Sequence, residues 1–260
     1  MLIFSIDVDV GSRVVGIVNK GRNDRNVHNY FSEQTVGEIE EKALPLFLEL
    51  FDQYGVPVTF GIRGQTLEVD GTILEQVIKS SVHHDIGSHG FSHKMFNEMS
   101  SHEVDSELNK LGVLMKDFNV TPTSFIFPKN AVAHLDFLEK YGYKTYRSYG
   151  NFRLDCMRIE KRGNLYNINP SLNLDQSINS SILCAILKIA ILKRAPLHLW
   201  FHLWNFGVSK LSIERSINRV FRPLLKYAQS EANCGTISLE TMASAQKKVE
   251  PFFKPKQDAH

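Results

Sequence analysis

Apolar and polar positions fall along this chain in blocks whose period changes repeatedly between strand-like and helix-like. Leu2–Val8 is a short run rich in β-branched residues, the pattern of a strand covered on both faces. It breaks at Asp7-Val8-Asp9, ahead of Gly11, and a period of two sends both carboxylates to one side of the strand end. Residues 12–37 are polar and lack periodicity, which predicts a long loop serving as a lid or substrate rim. From Val36 the apolar positions Ile39, Ala43, Leu46, Phe47 and Leu50 follow helical spacing, and Gly55 ends that helix.

The same reading continues down the chain. Val56–Ile62 is a strand, Leu74, Val77 and Ile78 belong to a helix, and Ser101–Phe118 is a helix capped by Ser100 or Ser101 ahead of Glu103. Ser124–Pro128 is a strand, His134–Tyr141 a helix stopped by Gly142, and Lys144–Arg147 a short strand. Residues 150–179 read as irregular. Ile182–Lys193 is a helix, Leu197–Trp204 a strand, Ser212–Glu231 a long helix and Thr236–Leu239 a last strand before a helix near Met242. The Lys- and Pro-rich tail from Val249 is expected to fray. Strands alternating with helices predict parallel βα units, and without repeats or linkers residues 1–260 read as a single domain. In such folds chemistry gathers at the C-terminal ends of strands.

Composition narrows the function classes. An apolar fraction of 43% provides a substantial core, and a net charge of +2 with scattered charges leaves no footprint for nucleic acid. Met1–Ile6 lacks the basic start and longer apolar run of a signal peptide. The most apolar internal segment, Ile182–Leu192, is interrupted by Lys188 and closed by Lys193-Arg194, too short and charged to serve as a membrane anchor. Cys156, Cys184 and Cys234 are far apart and in no CxxC arrangement, so they read as reduced thiols of a cytoplasmic protein. A homo-oligomer is neither required nor excluded.

The stretch Ile86–His93 reads Ile-Gly-Ser-His-Gly-Phe-Ser-His, with His89 and His93 four apart between loosening glycines. On a helical turn, or a loop curling into one, both imidazoles face the same side. Two convergent imidazoles form half of a zinc or other divalent-metal site; alternatively, a surface loop simply happens to contain two histidines. Asp9 offers the third ligand, completing a set that leaves positions for water and substrate. Asp7, on the same side, is suited to act as general base, and His202, after Leu197–Phe201, could supply a general acid. Singly, each has a bland explanation: a solvated strand end or a hydrogen-bonded core histidine. Jointly they specify metal-assisted hydrolysis of an acyl bond. His83-His84 reads as structural, and His198, on the face of His202, is a second candidate acid near the strand's start. Trp200, Trp204 and Phe206 either stack on a substrate or belong to the core.

In these segments the sequence resembles the polysaccharide deacetylase family, also called carbohydrate esterase family 4. Ser5-Ile6-Asp7-Val8-Asp9 looks like its first motif in an Asp-x-Asp form, and Asp85–His93 closely matches the second. Phe125–Asn130 stands where the family has an Arg-x-Pro motif, and Trp200–Asn205 looks like the late His motif. The resemblance implies a distorted (β/α) barrel of about seven strands, fewer than a full eight-fold one. It implies one divalent metal, expected to be zinc, on Asp9, His89 and His93, with Asp7 as base and His202 as acid. Pro128, Lys129, Asn130, Arg147 and Trp204 are expected to face the substrate. The motif arginine that orients the base is missing, leaving Lys129 or Arg147 to replace it. The implied reaction removes an N- or O-acetyl group from a sugar or glycan. Alternatives are an amidohydrolase opening a cyclic imide and a catalytically silent binding protein.

Overall fold

β1 (Leu2–Val8) is the strand around which the sheet is assembled in the computed structural model, which describes residues 1–9, 33–148, 157–207 and 209–253. All of β1 is buried because it is flanked on both sides. β2 (Thr59–Ile62) pairs parallel with its second half, Asp7 lying opposite Gly61. β9 (Leu197–His202) pairs parallel along its length, from Leu2 opposite Leu197 to Asp7 opposite His202. β10 (Leu239–Glu240) pairs parallel with Leu2 and Ile3.

Beyond β2 come β3 (Asp85–Ser88), β4 (Ser124–Ile126), β5 (Thr145–Arg147) and β7 (Leu165–Ile168), each parallel to the one before. β6 (Ile159–Arg162) closes that edge antiparallel to β7, and β8 (Leu172–Asn173) pairs parallel with β9 at the other edge. The order β6-β7-β5-β4-β3-β2-β1-β9-β8 makes a curled sheet of ten strands among the described residues, β10 included. This is the distorted α/β barrel that the sequence led us to expect, with more strands than the expected seven or so. The additional ones come from the stretch 150–179 read as irregular: β6, β7 and β8 are two to four residues long, too short to establish a period.

Helices cover the sheet: α1 (Glu33–Tyr54), α2 (Gly64–Val69), α3 (Thr72–Lys79), α4 (Ser101–Asp117), α5 (Leu135–Lys140), α6 (Ser180–Leu192), α7 (Lys210–Ser216), α8 (Arg222–Asn233) and α9 (Met242–Phe253). The helix expected from Ser212 to Glu231 is realised as α7 and α8 joined by a π-helical turn, Ile217–Phe221. Pro223 has no N–H to donate, and the widened turn just before it absorbs the interruption. The α4 start carries the expected capping box: Ser100 Oγ accepts from Glu103 N, and Glu103 Oε2 from Ser100 N.

One core lies where α1 and the α7–α8 segment meet β9. Phe47, Phe51, Phe201, Phe206 and Phe221 interlock with ring centroids 4.7–6.4 Å apart. Burying each such ring contributes roughly 1.5–3 kcal/mol, so this cluster fixes the position of β9 firmly. A second cluster, around Phe96, Phe125, Phe127 and Tyr146, supports β4 and β5. The predicted rim lies mostly outside the described residues, at 10–32, and its last residues begin α1. Cys184 and Cys234 are free, whereas Cys156 lies outside the described residues. No described helix is long and apolar enough to cross a membrane. The tail expected to fray from Val249 is helical through Phe253, with the rest outside the described residues.

Candidate active and metal site

The parallel register brings the motif residues together. Asp7, next to last in β1, lies opposite His202 at the end of β9, and His89 directly follows β3. The two histidines converge without a helical turn. Gly90 has φ +69° and His93 φ +64°, so the loop folds back and brings the rings to 4.9 Å between centroids, at 64°. A side chain at Gly90 would meet Pro128 Cγ at 3.0 Å, in a backbone conformation that favours glycine. Pro128 thus packs against the loop.

Both flanks of that loop are clamped. Gly64 and Gln65, at the start of α2, donate their N–H groups to the carbonyls of Gly90 and Phe91, both at 3.0 Å. From α4, Glu107 Oε2 accepts the N–H groups of Phe91 and Ser92 at 3.0 and 2.9 Å. His89 Nδ1 lies 2.8 Å from the Ile126 carbonyl, which can only accept, so Nδ1 carries the hydrogen and Nε2 presents its lone pair to the site.

His89 Nε2 is buried with no hydrogen-bond partner among the described residues. Its nearest charged neighbours are Asp7 Oδ2 and Asp9 Oδ2, each at 4.0 Å, and His93 Nε2 lies 3.2 Å from Asp9 Oδ2. Ligand atoms of Asp9, His89 and His93 all lie within 4.8 Å of one another. One carboxylate, two imidazoles and a bare, pre-oriented ring nitrogen fit a divalent cation.

The electrostatics agree with this geometry. Burial works against ionisation of Asp7, but the Arg147 guanidinium, His89 and His202 overcome it and hold its pKa below the usual carboxylate range. Asp9 is likewise driven down: burial opposes, and His202, His93 and His89 outweigh it. Burial lowers His89 to about 4, keeping the ring neutral as a ligand must be.

Arg147 lies at the end of β5, fully buried, with Nη1 2.7 Å from Asp7 Oδ1 and Nη2 2.5 Å from Oδ2. It therefore lies behind Asp7 and not on an open substrate wall. Lys129, the other candidate to replace the motif arginine, is exposed in the 3₁₀ turn Pro128–Asn130. Asn130 Oδ1 is buried and has no hydrogen-bond partner among the described residues.

His202 Nε2 lies 3.7 Å from Asp7 Oδ2, and Nδ1 lies 3.2 Å from Asn205 Oδ1, which also accepts the His202 N–H at 2.7 Å. An acceptor on Nδ1 turns Nε2 toward the carboxylates. Trp204 stacks on His202 at 4.4 Å and 24°. His198, the other candidate acid, is buried near the start of β9 with both ring nitrogens within hydrogen-bonding distance of Ser5 and Ile168. His84 is structural, as the sequence suggested: Nδ1 accepts from Val58 N, and Nε2 lies 2.9 Å from Ser80 Oγ. Glu107 lies in none of the motif segments; Ser5 and Asn205 lie within them, but their partners follow only from the contacts.

Residues 28–146, just under half the chain, match the polysaccharide deacetylase family model. That segment carries His89, His93 and Pro128; Asp7, Asp9 and His202 lie outside it. A peptidoglycan deacetylase of Helicobacter pylori is 27% identical over 107 residues, 40% of this chain, and the match spans 36% of that relative. A Mycobacterium smegmatis protein classed among the polysaccharide deacetylases shares the fold with a TM-score of 0.74 at 13% identity, covering 100% of this chain and 93% of that one. The allantoinase Puue has a TM-score of 0.67 at 13% identity, covering 97% of this chain and 90% of that one, a likeness of fold alone. The chain thus resembles polysaccharide deacetylases in sequence over residues 28–146 and shares its fold with a structure classed among them.

Proposed function

We propose that the chain is a single-domain, metal-dependent hydrolase that removes an acetyl group from an amino sugar or other acetylated glycan. The observation that carries the reading is the convergence of Asp9, His89 and His93 beside an arginine-held Asp7 and a His202 whose Nε2 faces that carboxylate. The family match supports a sugar substrate.

Asp9 Oδ2, His89 Nε2 and His93 Nε2 would hold the ion, and the mixed nitrogen–oxygen set suits zinc. When bound, such an ion polarises an acyl oxygen and makes a water more acidic. Asp7 takes the proton of the attacking water. Arg147 keeps that carboxylate ionised and fixes its plane, so the acceptor oxygen is available without reorganisation. With Nδ1 bonded to Asn205 Oδ1, His202 in its protonated form would deliver the Nε2 proton to the departing amine or alkoxide and be left neutral. In this reading Pro128, Asn130 and Trp204 border the substrate side.

The test is acetate release by the zinc-loaded protein from N-acetylglucosamine oligomers and O-acetylated glycans, with cyclic imides run alongside. Acetate release at a rate that follows metal content supports the reading. Ring opening without acetate release replaces it with a cyclic-amide hydrolase. Inertness on every substrate class replaces it with a binding protein.

A further inference from the structure

Behind Asp7 lies a second layer of buried polar side chains. Arg147 Nη1, besides holding Asp7, lies 3.0 Å from Ser5 Oγ. Ser5 Oγ lies 2.8 Å from His198 Nε2, and His198 Nδ1 lies 3.0 Å from the Ile168 carbonyl. Ser5 and Arg147 are 0% exposed and His198 1%.

The direction of each bond follows from what each group can do. A carbonyl only accepts, so His198 Nδ1 carries the hydrogen. Burial, and then the charge of Arg147, lower the His198 pKa to about 3, so the ring is neutral and Nε2 is a lone pair. A guanidinium only donates, so Ser5 Oγ accepts from Arg147 and directs its own hydrogen to Nε2. The chain of donation is fixed: Arg147 to Ser5, Ser5 to His198, His198 to Ile168.

A guanidinium held by one carboxylate can still tilt about that carboxylate. Here Ser5, two residues before Asp7 on β1, supplies a second contact, and the Trp200 ring, 4.3 Å from Arg147 Cζ, covers one face. The register carries the layer: Ser5 lies opposite Trp200, Ile3 opposite His198, and Arg147 opposite Ile126, whose carbonyl orients His89.

We propose that Ser5 and His198 are positioning residues, which hold the Arg147 guanidinium in the plane from which it grips both oxygens of Asp7. Their effect on turnover rests on the reading of Asp7 as the base, whereas their effect on Arg147 does not. Neither touches substrate, and neither transfers a proton.

The experiment uses the full-length, zinc-loaded protein with Ser5→Ala, His198→Leu, His198→Gln and Arg147→Lys, alone and in pairs, on the acetylated oligomer that the parent cleaves. Melting temperature and zinc content are recorded for each. Ser5→Ala and His198→Leu are expected to lower kcat about tenfold with KM and zinc content unchanged. Neither should deepen the loss in an Arg147→Lys background, because all act through one contact. His198→Gln, which keeps an acceptor and a donor, should restore most of the rate. Independently of activity, nitrogen NMR of the Arg147 guanidinium should show faster rotation in Ser5→Ala than in the parent. An unchanged kcat in an active Ser5→Ala protein, or losses that multiply with Arg147→Lys, overturn the proposal; so does unchanged guanidinium rotation. A parent inert on every substrate, with rotation still faster in Ser5→Ala, overturns the hydrolase reading and leaves the positioning role standing.

Discussion

Asp7 and Asp85 are both aspartates whose ionisation burial opposes, at opposite ends of two parallel strands, β1 and β3, that flank β2, and their surroundings differ in kind. Asp85, at the start of β3, accepts from Thr59 Oγ1, Ser124 Oγ and Ala243 N, all onto Oδ2 and all from neutral donors. Burial raises its pKa against those bonds. Asp7, near the end of β1, is gripped by a guanidinium, and its pKa is lowered despite burial. Thr145 donates to Ser124 and Met242 N to Thr59, so the Asp85 end is a satisfied network. At the Asp7 end, His89 Nε2 is left bare. Burial of a carboxylate is therefore not the mark of function here. A paired charge beside an oriented, unsatisfied ring nitrogen is.

The largest expected effect separates the two ends by metal content. His89→Ala and His93→Ala remove one of three donors and should lower zinc affinity by orders of magnitude, with activity falling in parallel. Asp85→Ala should leave zinc content at the parent value. Elemental analysis decides: full occupancy in either histidine variant removes that residue from the ligand set.

Next in size comes the division between Asp7 and Asp9. Asp7→Asn should stay zinc-loaded and lose about 10²–10⁴-fold in turnover, because an amide cannot take the proton of water. Asp9→Asn should lose zinc, and added zinc should partly restore its rate. The opposite pattern, with Asp7→Asn rescued by metal and Asp9→Asn loaded but inert, exchanges the two roles.

Much of the Asp7 end could be read along the chain, and the reason is spacing. Asp7 and Asp9 are two apart on a strand, and His89 and His93 are four apart in one loop, so local geometry already brings each pair together. Arg147 was legible only as one of two candidates because it meets Asp7 across 140 residues, through a register that no local period encodes. Ser5 opens the first motif and His198 is a second candidate acid, but their pairing across 193 residues has no local signal. The alternation of strands and helices predicted the parallel sheet, whereas β6, with three consecutive charged residues on an antiparallel edge, looks like a loop.

A smaller effect is expected where the scaffold reaches the site from outside. Glu107 holds the N–H groups of Phe91 and Ser92 between the two histidines and touches neither. Glu107→Ala should weaken zinc binding by roughly 10–100-fold, the range expected when a group that orients ligands is lost. Saturating zinc should then restore kcat. A competition titration against a chelator measures the first, and an unchanged affinity would leave Gly64 and Gln65 as sufficient clamps for the loop.

The smallest effect sharpens the comparison from the Asp85 side. Asp85→Asn keeps an amide oxygen where Oδ2 accepts its three donors, and it removes the group whose ionisation burial disfavours. Stability at neutral pH should change by about 1 kcal/mol or less, and zinc content and turnover should not change. The sign of its pH dependence follows from linkage. The folded state binds the Asp85 proton more tightly than the unfolded chain, whose carboxyl titrates near about 3.9. Stability contributed by this group is thus fully present below that pH and is lost as pH rises through the raised, folded-state value. Asn cannot ionise, so the melting temperature of the variant relative to the parent should rise from pH 3 upward and level off above the folded pKa. Asp7 and Asp9 shift the other way but are common to both proteins, so the difference curve isolates Asp85. A difference that falls with pH would mean that Asp85 is held ionised like Asp7, and the contrast between the two ends would be lost.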